Sequence, residues 1–101
     1  MDLSEPSEMN QLLSKESVTK SLSLLTEWVH EGKEIQRTFQ FQNFTTALAF
    51  VNRVGLLSEE ANHHPDIDLR WGKVTLHLTT HSLGGLTQLD FALAEKINSL
   101  T

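Results

Sequence analysis

The chain is 101 residues long, with 39% hydrophobic and 21% charged residues, a net charge of −5 at pH 7 and no cysteine. That composition suits one globular domain with its own core and excludes disulfides, thiolate metal sites and thiol catalysis. Lys and Arg cluster nowhere, which argues against direct binding to nucleic acid or to an anionic membrane. No apolar run reaches membrane-spanning length and the polar, acidic opening has no signal-peptide core, so a cytoplasmic protein is expected.

Residues 1–11 carry Asp2, Ser4, Glu5, Pro6, Ser7 and Glu8 and read as a flexible N-terminal tail, with a single domain over 12–101. Ser14 is a helix start, and Val18, Leu22 and Leu25 at helical spacing predict a helix over Lys15–Leu25. Trp28–His30, a turn at Glu31-Gly32-Lys33, and Glu34–Gln42 predict a hairpin. Ile35, Phe39 and Phe41 share one face of its second strand, which Arg37 interrupts. Asn43 caps a helix over Phe44–Glu60, whose expected buried stripe is Phe44, Ala47, Leu48, Val51, Val54 and Ala61. Pro65 ends any continuation.

Ile67–Trp71, Gly72-Lys73 and Val74–Thr80 predict a second hairpin, with Val74, Leu76 and Leu78 on one face and Thr75, His77 and Thr79 on the other. Thr87 followed by Asp90 is a capping box that opens a last helix carrying Leu89, Ala92, Leu93, Ile97 and Leu100. The order α-β-β-α-β-β-α predicts an α+β fold: a four-stranded antiparallel sheet with three helices on one face.

Three of the five histidines are His63, His64 and His81. Adjacent histidines gain nothing in a core, and Pro65 fixes the backbone beside them, so Asn62-His63-His64-Pro65 reads as a turn built for chemistry. Several bland readings stand beside that one. His63 and His64 suit a polar turn at a helix C-terminus, where imidazole interacts well with the dipole. His81 suits an ordinary strand end, Glu59 a solvated carboxylate, Asp90 the capping acid alone, and Trp71 simple packing in its hairpin. Trp28 reads as core, and His30 and His77 as surface residues. A metal held by the three histidines with Glu59 or Asp90 is a further reading, disfavoured because neighbours in an extended turn point apart.

The spaced set Glu59, His63-His64-Pro65, Trp71, His81 and Asp90 resembles the pterin-4a-carbinolamine dehydratases, also known as dimerisation cofactors of a homeodomain transcription factor. The flanks Trp28, Glu31-Gly32-Lys33, Phe39-Gln40-Phe41, Phe44 and Gly85-Leu86-Thr87 also resemble that family, so the likeness runs from Leu24 to Asn98. It implies dehydration of 4a-hydroxytetrahydropterin to quinonoid dihydropterin, in tetrahydrobiopterin recycling, with no metal and no cofactor. It implies homodimers or homotetramers and a possible protein partner. It places pterin contacts on His63, His64, Pro65, Thr80, His81, Ser82 and Leu83, with Glu59, Trp71 and Asp90 supporting. Some members carry arginine before the aspartate; this chain has Leu89.

Dehydration of a carbinolamine needs one proton delivered to the leaving hydroxyl and another taken from the ring nitrogen, and imidazole suits both transfers. His63 and His81 are the expected proton-transfer pair, with His64 orienting the pterin. The rival of another class is a non-catalytic binding or assembly module on the same fold; a metal-dependent hydrolase is a third.

Overall fold

The computed structural model describes residues 10–101, so the expected tail lies outside the described residues except for Asn10 and Gln11. Helix α1 spans Lys15–Ser23, and the Ser14 hydroxyl accepts the Ser17 N–H at 3.2 Å. It stops two residues before the expected Leu25, where the chain turns through Glu27 in a left-handed conformation at φ 73. Leu25 is still buried. Strand β1, Val29–Glu31, pairs with β2, Glu34–Gln40. Helix α2 spans Phe44–Ala61, and Asn43 Oδ1 accepts the Thr46 N–H at 2.9 Å. Strands β3, Asp66–Arg70, and β4, Lys73–Leu78, form the second hairpin, and α3 spans Gln88–Asn98.

All pairings are antiparallel and the sheet order is β1-β2-β4-β3. The α+β fold and the order α-β-β-α-β-β-α are as expected. Alternation decides which face is buried. Ile35, Phe39, Val74, Leu76 and Leu78 point inward with Ala47, Phe50 and Val54 of α2 and Phe91, Leu93 and Ile97 of α3. Each fully buried large side chain contributes about 1.5–3 kcal/mol.

Three local expectations change. The buried stripe of α2 is Ala47, Phe50, Val54 and Ser58, whereas Phe44 and Leu48 are 44% and 40% exposed. Phe44, Leu48 and Val51 form a second apolar line beside the first, and periodicity alone does not choose between two parallel lines. Ser58 tolerates burial because its hydroxyl donates to the Val54 carbonyl at 2.7 Å. Strand β3 begins at Asp66 and ends at Arg70, which leaves Trp71 in the turn, 69% exposed. Val74–Thr80 shortens to Lys73–Leu78, and His81 opens a short 3-10 turn over His81–Leu83.

Arg37 does sit on the inner face, opposite Leu76. Its guanidinium lies 4.2 Å from the Phe39 ring centroid, and its Nη1 donates to Asn98 Oδ1 at 2.6 Å. Asn98 Oδ1 also accepts the Trp28 indole N–H at 2.7 Å, and Asn98 Nδ2 donates to the Thr26 carbonyl at 3.1 Å. One amide therefore ties α3 to β2 and to the segment between α1 and β1.

On the wet face, Arg70 Nε donates to Asp68 Oδ1 at 2.9 Å. That hydrogen bond holds the Asp68 carboxyl below its ordinary pKa and raises Arg70 above its own. A lowered carboxyl stabilises the fold above its unfolded pKa and loses the effect as pH falls through the folded value. Both groups are fully exposed, so water and salt screen the pair.

Gly72, in the β3–β4 turn, marks a close backbone approach to the end of β2. Its carbonyl accepts the Phe41 N–H at 2.8 Å, and a Cβ there would lie 2.8 Å from the Phe41 carbonyl oxygen. A backbone oxygen cannot swing away as a side-chain tip can. Gly72→Ala is expected to lower stability by about 1–3 kcal/mol, the usual range for forced overpacking, as read from the urea midpoint at unchanged m-value.

Candidate functional site

The site begins at the end of α2. The Asn62 N–H bonds the Glu59 carbonyl at 3.2 Å and the His63 N–H bonds the Ser58 carbonyl at 3.1 Å. This is the paired closure of a helix that ends on a left-handed residue, and Asn62 supplies it at φ 50, ψ 42. Asparagine is among the few non-glycine residues that tolerate that region. The reversal carries His63 back under the helix end, where its side chain is 10% exposed.

There His63 meets Asp90, whose side chain is 0% exposed. His63 Nε2 lies 2.5 Å from Asp90 Oδ1. Asp90 Oδ2 accepts the Thr80 hydroxyl and the Thr87 backbone N–H, each at 2.9 Å. Because the Thr80 hydrogen goes to Asp90, the 2.8 Å Thr80–Thr87 contact runs from the Thr87 hydroxyl to Thr80. Thr87 Oγ1 in turn accepts the Leu89 N–H at 3.2 Å. Asp90 is thus the capping acid of α3 and the anchor of His63 at once. A carboxylate accepts, so the tautomer that fits this bond carries the His63 proton on Nε2 and leaves Nδ1 as the ring's second nitrogen.

The other two histidines are exposed and also face carboxylates. His64 Nε2 bonds Glu59 Oε2, with side chains 56% and 76% exposed. His81 Nε2 lies 3.5 Å from Asp66 Oδ2, with side chains 71% and 69% exposed. His81 follows Thr80 directly, so the Asp90–Thr80 bond fixes the base of its loop. The Thr80 N–H to the Gly85 carbonyl, at 2.9 Å, closes the same loop, which carries Ser82 and Leu83. Pro65 is half-buried between His64 and β3. The structure therefore gathers the end of α2, the end of β4 and the start of α3 into one open shelf. It presents one buried imidazole, held by Asp90, and two exposed ones.

Not every expected residue reaches that shelf. Trp71 lies in the β3–β4 turn, at the end of the hairpin away from Asp66. Asp66 and Thr87 were absent from the expected set. Asp66 reads as a solvated strand residue, and its neighbour His81 is fifteen positions away in sequence. Thr87 was legible as a cap but not as a hydroxyl donor to Thr80. His77 bonds Glu34 on the wet face, and His30 Nε2 donates to the Gly32 carbonyl at 2.8 Å. Among the described residues, no three His, Asp or Glu side chains are grouped as metal ligands.

Comparison with known proteins points to one family. The family described as Pterin 4 alpha carbinolamine dehydratase matches residues 11–100. A Roseiflexus sp. (strain RS-1) protein, provisionally named pterin-4-alpha-carbinolamine dehydratase, is 53% identical over 87% of this chain and 95% of its own. A Nocardia farcinica protein of the same provisional name is 49% identical over 89% and 95%. The crystal structure of a transcriptional coactivator/pterin dehydratase from Brucella melitensis superposes with a TM-score of 0.83 at 33% identity, covering 89% of this chain and 98% of that one. A pterin dehydratase-like RuBisCO assembly factor of the alpha-carboxysome shares the fold, with a TM-score of 0.59 at 24% identity over 72% and 84%.

Asp90→Ala strands His63, the Thr80 hydroxyl and the Thr87 N–H together. The expected loss is about 3–5 kcal/mol, as for one partner removed from a buried pair. Asp90→Asn keeps an acceptor for Thr80 and Thr87 and is expected to cost clearly less. Chemical denaturation of the two variants checks the order.

Proposed function

Because the chain belongs to the pterin 4 alpha carbinolamine dehydratase family, we propose that it is a hydro-lyase that converts 4a-hydroxytetrahydropterin to quinonoid dihydropterin and water, in tetrahydrobiopterin recycling. The C4a–O bond breaks and the hydroxyl leaves as water after taking a proton. The N5–H proton goes to a base, and its electron pair forms the C4a=N5 bond. No redox partner is needed.

The observation that carries this reading is the buried His63–Asp90 pair. A carboxylate behind an imidazole fixes its tautomer and stabilises the imidazolium formed when the ring accepts a proton. We assign His63, through Nδ1, and His81 to proton transfer. His64, held by Glu59, orients the pterin. Pro65, Thr80, Ser82 and Leu83 shape the floor and wall. The exposure of His64 and His81 supports a substrate that docks on an open shelf and exchanges water freely. The lack of cysteine supports a cytoplasmic setting.

Each positioned proton transfer is worth about 10²–10⁴-fold. In a stopped-flow dehydration assay, His63→Ala and His81→Ala are each expected to lose about 10²-fold or more in rate with the fold retained. A wild-type rate equal to buffer sinks the proposal.

A second reading, a protein-binding module, draws on the coactivator name of the Brucella melitensis relative and on the exposed Phe44 and Leu48 of α2. The same two side chains support self-association as a homodimer or homotetramer. Sedimentation is expected to give an oligomer that Leu48→Glu shifts toward monomer; a wild-type monomer contradicts this.

A further inference from the structure

Each histidine of the shelf faces a carboxylate through Nε2: His63 faces Asp90, His64 faces Glu59 and His81 faces Asp66. Asp90 also caps α3, and Glu59 lies on the last turn of the helix that leads into His64. Asp66 has only the histidine. Among the described residues its carboxylate pairs with His81 alone, while His77, its cross-strand neighbour, turns to Glu34.

Both partners stand on fixed backbone. Asp66 opens β3 directly after Pro65 and pairs in register with His77. Four residues beyond His77, His81 follows Thr80, whose hydroxyl donates to Asp90 and whose N–H bonds the Gly85 carbonyl. The 3.5 Å between His81 Nε2 and Asp66 Oδ2 is the spacing of an ion pair, longer than a tight hydrogen bond. Both side chains are exposed, and in water such a pair adds little to stability. A flat ligand over the shelf changes that balance. The attraction between two charges grows about fourfold when the effective dielectric falls from that of water to that of a protein surface. Catalytic contacts that are long in the free protein tighten in the substrate complex.

We infer that Asp66 is a positioning residue for His81. It holds the ring by Nε2 and supports the imidazolium once a pterin covers the shelf, which leaves Nδ1 to exchange the proton. This role rests on the proposed dehydration and adds to it a residue outside the histidines.

The test compares the full chain with Asp66→Ala, Asp66→Glu, His81→Ala and the double variant Asp66→Ala/His81→Ala. In the stopped-flow assay Asp66→Ala is expected to lower kcat about tenfold, less than loss of the imidazole itself, with KM and the urea midpoint unchanged. Asp66→Glu returns the carboxylate and is expected to restore part of the rate. In the His81→Ala background, Asp66→Ala is expected to cost nothing further, because a residue that acts through another is silent once the other is gone. An equal loss in both backgrounds overturns the inference, as does a wild-type rate in Asp66→Ala. NMR separates it from the dehydration reading. NOEs between the His81 ring and the Asp66 β-protons are expected in the wild type, with the ring averaging over rotamers in Asp66→Ala. A wild-type protein without activity but with an ordered His81 ring sinks the dehydration and leaves Asp66 as the group that holds His81. A ring that averages equally in both proteins sinks the positioning alone.

Discussion

One buried carboxylate holds the working end of this fold together. Asp90 bonds His63 from the end of α2, Thr80 from the end of β4 and the backbone of Thr87 at the start of α3. Desolvating a carboxylate is expensive, and only full satisfaction of its oxygens makes the position tolerable. Asp90 meets that condition with three donors. Every buried side-chain N or O among the described residues likewise has a partner. The geometry of the histidine shelf is thus set by the same bonds that make the burial of Asp90 acceptable.

The other end of α3 has a neutral counterpart. Asn98 gathers Trp28, Arg37 and the Thr26 carbonyl around one amide. Between the two polar nodes lies an apolar layer, with Phe39 packed on Phe50 at 4.6 Å between centroids.

Much of this was legible in the sequence, for identifiable reasons. The caps at Ser14, Asn43 and Thr87 and the alternation of Val74, Leu76 and Leu78 are local signals, and each appears where expected. Asp90 was readable as a cap, and the structure adds to the cap a bond to His63. What stayed hidden is long-range. The approach of Asp66 to His81 and of Asn98 to Arg37 depends on how the hairpins dock. The phase of α2 was hidden too, because two apolar lines run side by side and only the sheet decides which is covered.

The placement of the shelf also bears on folding kinetics. Strands β2 and β4 pair across the whole of α2, so the sheet closes through contacts far apart in sequence, which are slow to form. His63, Thr80 and Asp90 lie at the ends of α2 and β4 and the start of α3, so the set needs all three elements docked together. No single hairpin or helix holds the set. The histidine shelf is therefore a property of the whole folded domain and of no smaller piece of it.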